Sequence, residues 1–148
     1  MSAQPEVGND RNPLGVVCDL DTTPASVVRH LVRDLLTDQT GVTVEDAVLV
    51  VDELAANARR HGRAARTCRL ALTDRGRRLR VEVEDTAPQQ PRIRTPDHTG
   101  GRGLRLVNGL ATAWGVHQHR RSKTVWAEVA LDRRGRPGRA SHLRVALS

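Results

Sequence analysis

Glu53, Asn57 and His61 stand four residues apart in the stretch VVDELAANARRHG, residues Val50 to Gly62. On a helix these positions share one edge, and Asp46, two turns earlier, joins them. The residue types suit a magnesium site. Mg²⁺ takes oxygen ligands, keeps several waters, and needs only one or two protein ligands when phosphates complete its shell. Asn57 can offer an amide oxygen, and Glu53 can accept a proton from an attacking hydroxyl or water. A solvated helix edge accounts for the same residues. Zinc is a poorer match for His61, because its neighbours in the pattern are Glu and Asn and no Cys or second His lies at ligand spacing.

Two further stretches carry possible chemistry. Gly100-Gly101-Arg102-Gly103 directly precedes a predicted helix. Glycines admit close backbone approach, and a helix's first turn has unpaired N–H groups at its positive end, so a phosphate fits there. The same run can be a plain hinge, and it is neither a Walker loop nor a dinucleotide fingerprint. Asp85 ends a run in which Leu79, Val81 and Val83 alternate with Arg80, Glu82 and Glu84. By strand parity its carboxylate points to the apolar side, where it requires a partner. It can accept from an exocyclic amino group, as a carboxylate reads adenine, or simply cap the next turn.

These residues must be held by a defined set of elements. Residues 1–15 are rich in Pro, Gly, Asn, Asp and Ser and read as a flexible arm. A short strand is predicted over Val16–Leu20. Thr23-Pro24 then marks a helix start, with Val28, Leu31, Val32 and Leu35 at helical spacing up to Gly41. Thr43 caps a second helix whose apolar stripe is Ala47, Val48, Val51, Leu54, Ala55 and Ala58. Strands follow at Cys68–Thr73 and around Leu79–Val83, joined by the turn Asp74-Arg75-Gly76-Arg77. Pro88 to Gly101 holds three prolines and two glycines without periodicity, a loop long enough to be a lid. A third helix starts near Gly103, with Leu104, Val107, Leu110, Ala111 and Trp114 on one face. Strands Gly115–Arg120 and Lys123–Leu131 close the domain. This order predicts an α+β two-layer sandwich, a mixed, mainly antiparallel sheet covered on one face by three helices.

Composition bounds the remaining possibilities. The chain has 148 residues, enough for one domain, with 38% hydrophobic and 28% charged residues. Two tryptophans are the only aromatics, so the core must be built from Val, Leu and Ala. No apolar run approaches membrane-spanning length and no signal-peptide layout opens the chain, so a cytoplasmic location is expected. Cys18 and Cys68, far apart in sequence among apolar neighbours, read as buried free thiols. The net charge of +7 invites a nucleic-acid reading. However, five arginines (Arg133, Arg134, Arg136, Arg139, Arg144) lie beyond Asp132, leaving +2 for the rest. The excess sits in a basic tail, 133–148, which reads as a flexible extension of a 16–132 domain. With no aromatic stacking platform, direct nucleic-acid binding is not favoured.

Together, ELAANARRH, VEVEDTAPQQP and GGRGLRLVNGLATAWGV resemble, in order and separation, the boxes of the GHKL ATPase (Bergerat) fold. The resemblance runs from about Val16 to Leu131. It is strongest to short single-domain bacterial regulators similar to anti-sigma-factor serine/threonine kinases of the RsbW type, including the closing KTVWAEV, Lys123 to Val129. It implies ATP and Mg²⁺ as cofactors, Glu53 as catalytic base and Asn57 as magnesium ligand. Arg60 and His61 match positions that contact the nucleotide, and Asp85 matches the adenine-reading aspartate. Gly101, Arg102, Gly103 and Leu104 match the second glycine box at the end of the ATP lid. The implied activity is phosphorylation of a serine or threonine on an anti-anti-sigma (STAS) protein, with sequestration of a sigma factor and pairing as a homodimer. One departure stands out: Ala87 occupies the position two beyond the aspartate, where the broad family has glycine. That departure motivates an alternative, a non-catalytic module that binds ATP or its partner without chemistry.

Overall fold

A computed structural model describes residues 15–39, 42–87, 101–131 and 143–147. The expected N-terminal arm up to residue 14, the body of the expected lid and most of the expected tail lie outside the described residues, and Gly15, expected as the end of the arm, opens a strand. The elements run β1 (Gly15–Asp19), α1 (Ala25–Leu35), α2 (Val42–His61), β2 (Thr67–Thr73), β3 (Arg78–Asp85), α3 (Gly101–Leu110), β4 (Ala113–Gln118), β5 (Lys123–Ala130) and β6 (Leu143–Leu147). The strands form one sheet in the order β1-β2-β3-β5-β4-β6. All neighbours are antiparallel except β4 and β6, which run parallel. The three helices and the mixed, mainly antiparallel sheet make the expected α+β sandwich.

Strand alternation builds the interface between the two layers. Leu79, Val81 and Val83 of β3, Val125, Ala127 and Val129 of β5, and Leu70 of β2 are buried on one sheet face. Val28 and Val32 of α1, Val51, Leu54, Ala55 and Ala58 of α2, and Val107 of α3 are buried in the same core. Each buried Val or Leu among them contributes roughly 1.5–3 kcal/mol on leaving water, and each Ala less. As composition requires, the core is mainly Val, Leu and Ala, joined by Cys68 and Trp114. The reverse face of the sheet is polar. There Arg80 lies 4.5 Å over the Trp126 ring and pairs with Glu82 at 2.8 Å and Glu128 at 2.9 Å.

Several boundaries differ from expectation. Pro24, expected at the first helical position, is the N-cap of α1 in extended geometry (φ −66°, ψ 156°), and its carbonyl accepts from Val27 and Val28 N–H. Thr43, expected as a cap, lies inside the first turn of α2. The third helix opens two residues earlier than predicted, at Gly101. Trp114, assigned to its apolar face, belongs instead to β4, where its Nε1 donates to Asn108 Oδ1 at 3.0 Å. A helical stripe and a buried strand start are both apolar, and spacing alone does not separate them. Leu143–Leu147, within the segment read as a tail, forms β6 against β4.

Candidate functional site

α2 carries the first group of site residues. Its length comes from an uninterrupted run without Gly or Pro, and its polar edge results from the register of the buried stripe. Asp46, Glu53 and Asn57 are half-buried at the border of the core, whereas Arg60 and His61 are exposed at the C-terminal end. Two ion pairs fasten the helix to α1: Arg29 to Asp52 at 3.2 Å and Arg33 to Glu45 at 2.9 Å. Among the described residues, neither Glu53 nor Asn57 is committed to a hydrogen bond or ion pair. Half-buried oxygen donors left open on one helix edge suit a hydrated divalent cation.

The end of α2 is shaped by Arg66. Its Nε donates to Ala58 O at 2.9 Å and its Nη2 to Gly62 O at 3.1 Å, satisfying carbonyls a helix terminus leaves open. The positive guanidinium also suits the negative end of the helix dipole. Arg66 is fixed in turn by Asp21, whose carboxylate accepts its Nη1 at 2.7 Å and its backbone N–H at 3.0 Å. These Arg66 bonds hold the Asp21 carboxyl below its ordinary value.

The capped terminus delivers Gly62 against Asp85. A Cβ on Gly62 would sit 2.5 Å from Asp85 Cγ, 2.6 Å from its Oδ2 and 2.7 Å from Ala58 O, so no side chain fits. Here glycine is required for close approach rather than for an unusual dihedral. Asp85, the last residue of β3, is only 2% exposed, as its parity predicted. Its partner is Lys123, directly opposite on β5 and 6% exposed, with Nζ 2.9 Å from Oδ2 and 3.1 Å from Oδ1. Oδ1 also accepts from Ala87 N–H at 2.7 Å and Arg63 N–H at 3.4 Å. Oδ1 is therefore saturated, while Oδ2 accepts one bond and has a lone pair to spare.

Ala87, the departure from the glycine pattern, causes no backbone strain. Positive φ among the described residues occurs at Asp74, Arg75 and Gly76, not at Ala87. Its N–H closes a short turn onto Asp85, and Thr86 is tied back by its N–H to Arg63 O at 3.1 Å and its Oγ1 to Ala64 O at 2.6 Å. The carboxylate is thus held by backbone that alanine can supply as well as glycine.

Gly101, Arg102 and Gly103 form the first turn of α3, which packs along α2. A helix's first four N–H groups lack helical partners, and at this terminus they belong to the glycine run. Leu104, placed in the same box by the resemblance, is half-buried and packs on the core.

The structure therefore joins Asp85 to the end of the helix bearing Glu53 and Asn57. At 1.5 Å per residue, Asn57 and Glu53 lie about 7.5 and 13.5 Å along α2 from Gly62. Lys123, Gly62 and Arg66 were not singled out from sequence. Lys123 was legible in part, as the residue opening the KTVWAEV strand. Arg66 lies in a loop between two elements, where no periodicity marks it.

No curated protein matches the chain. A family model does, over residues 19–129, the span that runs from the end of β1 almost to the end of β5. That span takes in every site element described above and most of the chain. The protein accordingly belongs to the histidine kinase-like ATPase domain family, and ATP binding is the property this membership implies.

Proposed function

We propose that the chain is a Mg-ATP-dependent serine/threonine kinase of the anti-sigma-factor type. Its substrate is a hydroxyl on an anti-anti-sigma (STAS) partner, and in its other state it sequesters a sigma factor. The observation that supports this best is the buried Asp85 carboxylate pressed against side-chain-free Gly62 at the end of α2. The approach is close enough that not even a methyl group fits between the helix end and the carboxylate.

The residues divide the work as follows. Asp85 Oδ2 accepts from the exocyclic amine of adenine. Lys123 has three N–H donors and gives two to Asp85, so the third is free for the neighbouring ring nitrogen N1. An acceptor beside a donor is complementary to that edge of the base. Asn57 offers its amide oxygen to magnesium, and the first turn of α3 offers N–H groups to phosphate oxygens. ATP supplies the transferable γ-phosphoryl group. Glu53 accepts the proton of the attacking hydroxyl as its oxygen bonds to phosphorus, and the leaving oxygen departs with ADP. Phosphate transfer to a purified STAS partner, followed by mass spectrometry of its serine and threonine sites, tests the reading. Loss of transfer in Glu53→Ala with ATP binding retained supports it. Transfer by Glu53→Ala at the wild-type rate overturns the assigned base.

One observation favours a second reading. Lys123 already satisfies Asp85 internally, so the pair can stand as scaffold without nucleotide. A module that captures its partner without chemistry is then the alternative. Under it, Glu53→Ala leaves partner capture unchanged and no phosphorylated product forms with the wild type. Homodimer formation, a cytoplasmic location and the sigma-factor partner belong to the leading proposal. No helix among the described residues is long and apolar enough to cross a membrane.

A further inference from the structure

Cys18 and Cys68, fifty positions apart in the chain, are directly paired in register on the neighbouring strands β1 and β2. Two residues further on, Leu20 N–H donates to Arg66 O at 2.9 Å. Because antiparallel pairs alternate, Cys18 and Cys68 also occupy a hydrogen-bonded pair, for which Cα atoms lie about 5.5 Å apart. That is within the roughly 4.4–6.8 Å that disulfides span. Both side chains point to the helix-facing side of the sheet, so the two thiols face one another across the strand pair. Opposite Cβ atoms of such a pair lie toward the upper end of about 4.5–5.5 Å, against about 3.5–4.5 Å in a disulfide, so closure needs side-chain rotation and a small approach of the edge strand β1 toward β2.

The two thiols are unequal. Cys68 is buried in the core, while Cys18, expected to be buried, is half-exposed on the edge strand. The hydrogen bond from Cys68 brings the Cys18 thiol down to about 7, assisted by the Arg59 guanidinium of α2 and opposed by burial and by Asp19 of its own strand. The same bond and burial push the Cys68 thiol up. An accessible thiolate beside a buried second thiol is the arrangement of a reactive cysteine with its resolving partner.

We propose that Cys18 and Cys68 form a peroxide-operated thiol pair that closes a cross-strand disulfide between β1 and β2. Cys18 thiolate attacks one oxygen of hydrogen peroxide. The O–O bond breaks, hydroxide leaves and takes up a proton to become water, and Cys18 becomes a sulfenic acid. The Cys68 sulfur then attacks the Cys18 sulfur, the S–S bond forms, the S–O bond breaks, and hydroxide leaves with the Cys68 proton as a second water. The two sulfurs lose two electrons and the peroxide gains them. The bridge encloses α1 and α2 and fixes an edge strand of the sheet, so it reaches the helix that carries Glu53 and Asn57. This inference does not depend on the nucleotide reading.

The test treats the reduced full chain with hydrogen peroxide at pH 7.5, quenches with an alkylating agent, and maps peptides by mass spectrometry. The expected product is a Cys18–Cys68 linked peptide, with the intact mass lower by two hydrogens and a single-chain band on a non-reducing denaturing gel. Its Tm should rise by several degrees and return on adding dithiothreitol. Alkylation of Cys18 in the reduced protein should be half-maximal near pH 7. Cys68→Ala should trap a sulfenic acid at Cys18 that reacts with dimedone. If that variant does not fold, Cys18→Ser should leave Cys68 unmodified by peroxide. Two thiols still alkylatable after peroxide, or oxidation of Cys18 to sulfinic acid without a link, would overturn the proposal. So would links formed only between chains.

Discussion

Lys123 and Asp85 face each other across β5 and β3 as a buried ion pair, with the ammonium 2.9 and 3.1 Å from the two carboxylate oxygens. Removing one member of a buried pair costs about 3–5 kcal/mol, because the other charge is left without compensation. Lys123→Met should lower unfolding stability by that order in a urea titration. The double variant Asp85→Asn/Lys123→Met should lose clearly less than the sum of the two single changes. Equal additivity would mean that the two groups do not depend on each other.

The same lysine has a binding role that stability does not measure. If it donates to adenine N1, the wild type should bind 1-deaza-ATP, which lacks that acceptor, about tenfold more weakly than ATP. One hydrogen bond to a charged group is worth about 1.5–3 kcal/mol, and about 1.4 kcal/mol is a factor of ten. Lys123→Met should bind the two nucleotides alike. Calorimetric titration separates this from the broader reading. ATP bound without discrimination removes only the role of Lys123, whereas no binding of either nucleotide removes the site.

Asp85 and Gly62 can be tested together by thermal unfolding with Mg-ATP. A ligand at 100 times its Kd adds about 2.7 kcal/mol, a shift of several degrees for a domain of this size. Asp85→Asn should lose most of that shift. Gly62→Ala should lose it as well, and should also cost roughly 1–3 kcal/mol without ligand, since its Cβ would meet Asp85 Cγ at 2.5 Å. A Gly62→Ala protein with the full wild-type shift would show that the contact is not part of the nucleotide site.

Periodicity makes much of this legible in the sequence. The alternation from Leu79 to Val83 placed Asp85 on the core side, and the stripe of α2 placed Glu53 and Asn57 on one edge. What it missed has a common physical origin. Lys123, Arg66 and Cys18 act through residues distant in sequence, by strand register or across a helix end, and register is not written in local spacing. Trp114 was misplaced because an apolar residue just after a helix continues its stripe as readily as it starts a strand. β6 went unread because Leu143, Val145 and Leu147 form a short alternation beside five arginines, and charge dominated the reading of that segment.

The Asp21–Arg66 contact gives a pH dependence of defined sign. Arg66 holds the Asp21 carboxyl below its ordinary value, chiefly through its backbone N–H and then through its guanidinium. A group whose folded value is depressed contributes stability above its unfolded value, near 4 for aspartate, and loses it as pH falls through the folded one. Wild-type stability should therefore fall below about pH 4 more steeply than that of Asp21→Asn. The two should differ least at the acid end, where the wild-type carboxyl is also neutral. Because this carboxylate is exposed, the difference should shrink in high salt. Parallel curves from pH 3 to pH 6 would remove Asp21 as the residue that fixes Arg66.

Glu53 separates chemistry from binding. It lies about nine residues, or 13.5 Å, along α2 from the base end of the site, and no described residue engages its side chain. Glu53→Gln keeps the shape and the oxygen donor and removes only the capacity to take a proton. It should retain the Mg-ATP thermal shift within a degree or so while phosphate transfer falls by about 10²–10⁴-fold, the range expected for a lost general base. Asn57→Ala should do the reverse in its metal dependence, requiring a higher magnesium concentration for the same shift. If Glu53→Gln transfers phosphate as the wild type does, the proton goes elsewhere. If neither protein transfers it while both bind ATP and partner, the non-catalytic module is the function.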